Sequence, residues 1–138
     1  MSLGFEIELP TVRVKATLPG ASKPKLLEYS GLKGFPLFRT QNRRISGVIE
    51  VNGAGGSTLV ELVTAPDEDP YTKSDTGWKA QLENVGVIAR GLTRLSKTGL
   101  TEPRLPEALA AINKLLADPW SWSNRAGLRA AITGRGVN

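Results

Sequence analysis

The sequence predicts an α+β fold: a mainly antiparallel sheet from the N-terminal half, packed against two or three helices from the C-terminal half. Three observations carry that expectation. Apolar and polar residues alternate with period two through Phe5–Leu9 and again through Thr11–Ala16. Two β-rich runs, Ile45–Val51 and Thr58–Val63, flank a glycine-rich connection. From residue 75 onward, apolar residues recur at helical spacing instead. The 138 residues suit a single domain or a piece of a larger one, divided into a strand-rich 4–66, an acidic loop 67–74 and a helical 75–138.

Each element has its own signal. Phe5-Glu6-Ile7-Glu8-Leu9 reads as a strand with one wet face, which Pro10 interrupts before a second alternating run over 11–16. Pro19-Gly20 and Lys23-Pro24 mark a loop. Residues 31–44 read as loop plus a short strand near Leu37-Phe38-Arg39. Thr58-Leu59-Val60-Glu61-Leu62-Val63-Thr64 is apolar enough for a central strand, with one carboxylate in its middle, and Ala65-Pro66 stops it. Asp67-Glu68-Asp69-Pro70 is an acidic loop without the spacing of a calcium loop.

The helical half follows. Trp78, Leu82, Val85, Ala89, Leu92 and Leu95 form one stripe along a first helix, with Asp75 as its cap and Gly86 and Gly91 either weakening the helix or allowing close packing. Pro106 opens a second helix to Ala117, with Leu109, Ile112, Leu115 and Leu116 on its apolar face and Asp118-Pro119 ending it. Trp120-Ser121-Trp122 reads as a loop anchoring the helices, and a third helix runs from the Asn124 cap to Gly134.

The chain has no His and no Cys. Disulfide scaffolds, Cys/His zinc sites and His-dependent nucleophilic devices are thereby excluded. What remains for chemistry is carboxylates, Lys and Arg, hydroxyls, backbone N–H groups, or a hard cation held by oxygen. A net charge of +5 favours anionic partners. No membrane span and no secretory signal is visible, so the expected setting is soluble: cytoplasmic, or delivered as part of a larger secreted protein. Met1-Ser2-Leu3 reads as an added leader.

The most specific feature is the spacing of Glu6 and Glu8. On a strand, such residues share a face about 6.5–7 Å apart. Two carboxylates held there can grip a divalent cation, and Glu61 on the later strand is a third candidate ligand. The same pattern also suits an ordinary amphipathic edge strand. Arg39, Arg43 and Arg44 are candidate phosphate-binding residues, and Arg90, Arg94 and Lys97 give the first helix a basic side. Gly53–Thr58 is rich in backbone donors but leads into a strand, and reads as a hairpin turn. Nucleic acid is the weaker partner class, because the aromatics fall away from the bases.

Gly4-Phe5-Glu6-Ile7-Glu8 resembles the G-x-E-x-E opening strand of the amidoligase group, carboxylate–amine ligases related in fold to glutamine synthetase. Val60-Glu61-Leu62-Val63-Thr64-Ala65-Pro66 resembles the later strand in which such proteins carry an acidic residue before a small-residue–Pro turn. The resemblance covers residues 4–66. It implies Glu6, Glu8 and Glu61 as metal ligands, with Glu50 a weaker fourth. It also implies Mg²⁺ and ATP as cofactors, and a small-molecule or peptide carboxylate as substrate, activated as an acyl phosphate and attacked by an amine. Complete ligases of this group are longer, so the expectation is a truncated or inactive ligase-like domain. The alternative is a non-catalytic interaction module of a bacterial effector or toxin-like protein, with a protein partner or an anionic one held through the arginines.

Overall fold

The computed structural model describes residues 4–27, 30–41, 43–52, 57–65, 78–95, 100–116 and 120–134. Residues 1–3, the glycine-rich connection 53–56, the acidic loop 67–70, the Asp75 cap, Lys97 and the Asp118-Pro119 stop lie outside them. The architecture is α+β: a seven-stranded, largely antiparallel sheet with three helices from the C-terminal half.

The strands are β1 (Glu6–Ala16), β2 (Lys25–Leu26), β3 (Pro36–Thr40), β4 (Ile45–Asn52), β5 (Ser57–Thr64), β6 (Leu100–Thr101) and β7 (Trp120–Ser123). Their order is β2-β1-β5-β4-β3-β7, with β6 pairing parallel to β1. The central pairs are antiparallel, as the sequence predicts. Phe5 fastens the start of β1: its N–H donates to Thr64 Oγ1 at 2.7 Å, and Thr64 N–H returns to its carbonyl at 2.9 Å.

Two strand expectations need correction. Pro10 does not break β1, which runs unbroken through eleven residues. Pairing with β5 instead skips from Leu9↔Val60 to Arg13↔Leu59, so Pro10, Thr11 and Val12 form a bulge. The bulge absorbs the residue that cannot donate to the ladder. Trp120-Ser121-Trp122 is not a loop but β7, an edge strand against β3. The helical half therefore also supplies two strands.

The helices are α1 (Trp78–Leu95), α2 (Leu105–Asn113) and α3 (Arg125–Gly134). Pro106 sits in the first turn of α2, where its missing N–H is harmless. Asn124 precedes α3 as expected. Its carbonyl accepts the first helical bond from Leu128 at 3.0 Å, and its Nδ2 donates to Pro36 O at 3.0 Å, hooking the helix start to β3.

One core joins both halves. Leu9, Val12, Val14, Ile45, Ile49, Val60 and Leu62 from the sheet pack with Val85, Ile88, Leu92, Leu109, Ile112, Leu128 and Ile132 from the helices. The buried face of α1 is Gln81, Val85, Ile88 and Leu92, while Leu95 at the end of the expected stripe is 50% exposed. On the α2 side, Leu109 and Ile112 are buried as expected, but Leu115 lies past the helix end and is 64% exposed.

Candidate metal centre

Opposed residues of an antiparallel pair project to one face, as do residues two apart on a strand. Glu8 lies opposite Glu61 and Glu6 opposite Val63. Across the other side of β5, Glu61 lies opposite Val48 and Leu59 opposite Glu50. Glu6, Glu8, Glu50 and Glu61 therefore share the face turned away from the core. The intervening residues Leu9, Ile49, Val60 and Leu62 fill that core. Leu59 is fully buried too, yet lies outside the core cluster, on the acidic face between Glu50 and Arg13.

Glu8, Glu50 and Glu61 each present a carboxylate oxygen within 4.8 Å of the others. Glu8 is exposed, Glu50 half-buried and Glu61 buried. Burial, and then the charges of Glu50, Glu6 and Glu8, hold the Glu61 carboxyl above the usual glutamate range, and a hydrogen bond with Glu50 adds to this. The Glu50 carboxylate is fixed from other directions: Oε1 accepts the Val51 N–H at 2.8 Å and lies 3.6 Å from Lys33 Nζ.

An all-oxygen donor set suits a hard cation. Oxygens on opposite sides of an ion are separated by twice the metal–oxygen distance, about 4.1 Å for Mg²⁺ and about 4.6–5.2 Å for Ca²⁺. Oxygens all within 4.8 Å of one another are close enough to be gathered around one divalent cation by side-chain shifts. The donor set fits a divalent cation.

Not every expected ligand converges. Glu6 is displaced by one strand repeat from Glu8, about 6.5–7 Å, and lies outside the triad; Glu50, the weaker candidate, takes its place. Arg39 pairs with Ser46, which faces Val63 and hence Glu6, so it stands in the same cross-sheet row. Three strand spacings, about 14 Å, separate Arg39 from Glu6. Arg44 is half-buried at the start of β4, where its carbonyl accepts the Ala65 N–H at 2.7 Å. Arg43 is exposed in the turn before β4, at φ 63°, with its N–H donating to Thr40 O at 2.9 Å. Its position is set by the turn.

Lys33 and Arg13 are the neighbours the sequence does not reveal. Lys33 reaches Glu50 from a separate loop, and Arg13 gains its place only through the bulge. No known family, no curated protein and no solved structure matches this chain.

Proposed function

We propose that the Glu8–Glu50–Glu61 face holds a divalent cation that presents the phosphates of ATP, in an amidoligase-like carboxylate–amine ligase domain. One observation carries this reading: three glutamates distant in sequence bring ligand oxygens within 4.8 Å on a rigid sheet. Burial and the neighbouring carboxylates raise the affinity of Glu61 for a proton, and a cation bound here would compete with that proton. Lys33 and Val51 N–H hold Glu50 in place, and Leu59 closes the sheet beneath the site. Glu6 adds negative potential from the next row. The bound cation would neutralise phosphate oxygens during formation of an acyl phosphate. Arg39, three strands across from Glu6, and Arg44, at the start of β4 beside the end of β5, would meet only an extended ligand such as a nucleotide.

Thermal melting with Mg²⁺ alone, ATP with EDTA, and Mg²⁺ with ATP tests the reading. Stabilisation by Mg²⁺ and ATP together, absent in E61Q, is expected. No shift at millimolar ligand overturns it. The interaction-module reading draws on a different observation: Leu95 and Leu115 are the exposed large hydrophobics among the described residues, and Leu95 borders a groove with Leu100, Thr101 and Arg104. Persistent apolar association without any cation response would favour it.

A further inference from the structure

We propose that the N-terminal half of β1 is an open sheet edge that takes one more strand, an extended basic segment of a partner protein with Lys or Arg at alternate positions opposite Glu6 and Glu8. The inference goes beyond the cation reading and does not depend on it, because it uses the main chain of β1 and the side chains exposed along its edge.

Main-chain groups make the edge. Strand β5 lies along one side of β1 from Glu6 to Arg13. The same side continues with Leu27, whose N–H donates to Val14 O at 2.9 Å and whose carbonyl accepts the Thr58 N–H at 3.1 Å. Lys15 pairs with both Leu26 and Thr101, so β6 lies on the opposite side, where it reaches only Val14 and Lys15. Among the described residues no strand pairs with Glu6–Leu9 on that opposite side. The Thr64 N–H donates to Phe5 O, so Phe5, Ile7 and Leu9 turn their main-chain groups toward β5. Glu6 and Glu8 turn theirs outward, a row of N–H and C=O groups that an added strand satisfies. Pro10, which has no N–H, ends the row.

Side-chain charge names the occupant. Glu6 and Glu8 are exposed, while Ile7 between them packs against the core. A residue of the added strand opposite Glu8 projects to the same face as Glu8, on the side away from Glu61. A carboxylate there is repelled, and Lys or Arg is favoured. The residue opposite Ile7 falls on the core side of the sheet, where an apolar side chain extends the buried layer. A second copy pairing through its own β1 edge sets carboxylates against carboxylates. The charge that blunts self-association at this edge thus selects a basic strand.

The test uses the full chain in EDTA, so its result is separate from that of the cation reading. The probe is a short, end-blocked, fluorescent peptide of alternating lysine and valine, followed by anisotropy. Beside it run the same peptide with glutamate for lysine, and two forms N-methylated on one or the other alternate set of backbone nitrogens. The lysine peptide is expected to bind, more weakly as salt rises, and the glutamate peptide is not. One N-methylated form is expected to bind like the parent and the other to lose binding, because only alternate N–H groups face β1. The double variant E6Q, E8Q is expected to weaken the lysine peptide at least about fivefold. No binding at millimolar lysine peptide overturns the proposal. Equal binding of the two N-methylated forms overturns it as well, since that is surface attraction without a strand. So does an affinity of the double variant within twofold of wild type. Should the double variant not fold, E6Q carries the comparison, and parity with wild type overturns the proposal equally. A wild-type dimer in sedimentation that the lysine peptide dissociates assigns the edge to a second copy instead.

Discussion

Glu8 and Glu61 stand directly opposite one another across the β1–β5 pair, two carboxylates at one cross-strand position. Like charges placed there oppose pairing, and Glu50 on the other neighbouring strand brings a third oxygen within 4.8 Å. A protein can relieve such a cluster with a proton or with a cation. Burial and the neighbouring carboxylates raise the affinity of Glu61 for a proton, which favours the first route. The second route satisfies all three oxygens at once, and the two compete for the same atoms.

The proton route makes stability depend on pH. Because Glu61 holds its proton more tightly in the folded state than in the unfolded chain, its favourable contribution is complete below the ordinary glutamate range, near pH 4.5. It is lost as pH rises from there through the raised folded value. Substituting Glu61→Gln removes the ionisation. The variant is expected to melt above wild type at neutral pH, with the difference shrinking as pH falls toward 4.5. Equal melting temperatures across that window would contradict the arrangement.

Cation affinity must show the mirror image. Ligand carboxylates bind only when deprotonated, so Mn²⁺ affinity should keep rising at pH values where an ordinary glutamate is already ionised. Losing a direct ligand in E61Q should weaken Mn²⁺ by at least about tenfold, since even outer partners of ligands contribute that much. E6Q, one repeat outside the triad, should weaken it far less. A Mn²⁺ titration of the three proteins by proton relaxation separates these outcomes, and equal effects of E6Q and E61Q would displace the triad as the site.

The sheet that carries the site has one close approach to probe. Phe38 lies opposite Gly47, and a Cβ at Gly47 would overlap the end of the Phe38 ring. Both residues are buried, so neither can move aside cheaply. G47A is expected to destabilise by roughly 1–3 kcal/mol through overpacking. Denaturant unfolding of G47A, F38L and the double variant checks this, with the F38L background expected to lessen the cost of the added methyl.

Period-two patterning makes much of the site readable in the sequence. Glu6 and Glu8 fall on one sheet face by alternation alone, whereas Glu61 sits in an apolar run that assigns it no face, and it joins them through the register Glu8↔Glu61. Which of them meet is a matter of register. Glu50 joins the triad because β4 and β5 pair with Val48 opposite Glu61, an alignment the Gly-rich connection leaves unspecified in the sequence. Arg13 is hidden for a related reason: its row depends on a bulge at Pro10–Val12, where the alternation reads instead as two strands. β7 depends on non-local pairing with β3, which a four-residue Trp-Ser-Trp-Ser segment does not advertise.

Helix α1 shows how a polar residue shifts an apolar stripe. Of the expected stripe, Val85 and Leu92 are buried and Ala89 packs against the core, yet the buried face runs through Gln81, Val85, Ile88 and Leu92, at spacings of four, three and four. Counting only apolar residues misses Gln81 and so rotates the face. Ile88, absent from the expected stripe, is fully buried, while Leu95 is half exposed. I88A is therefore expected to cost about 2–5 kcal/mol through the cavity it leaves. L95A should stay within about 0.5 kcal/mol of wild type, as surface substitutions do. Chemical denaturation of the two variants decides between the faces, because the stripe read from apolar spacing alone requires the opposite ranking.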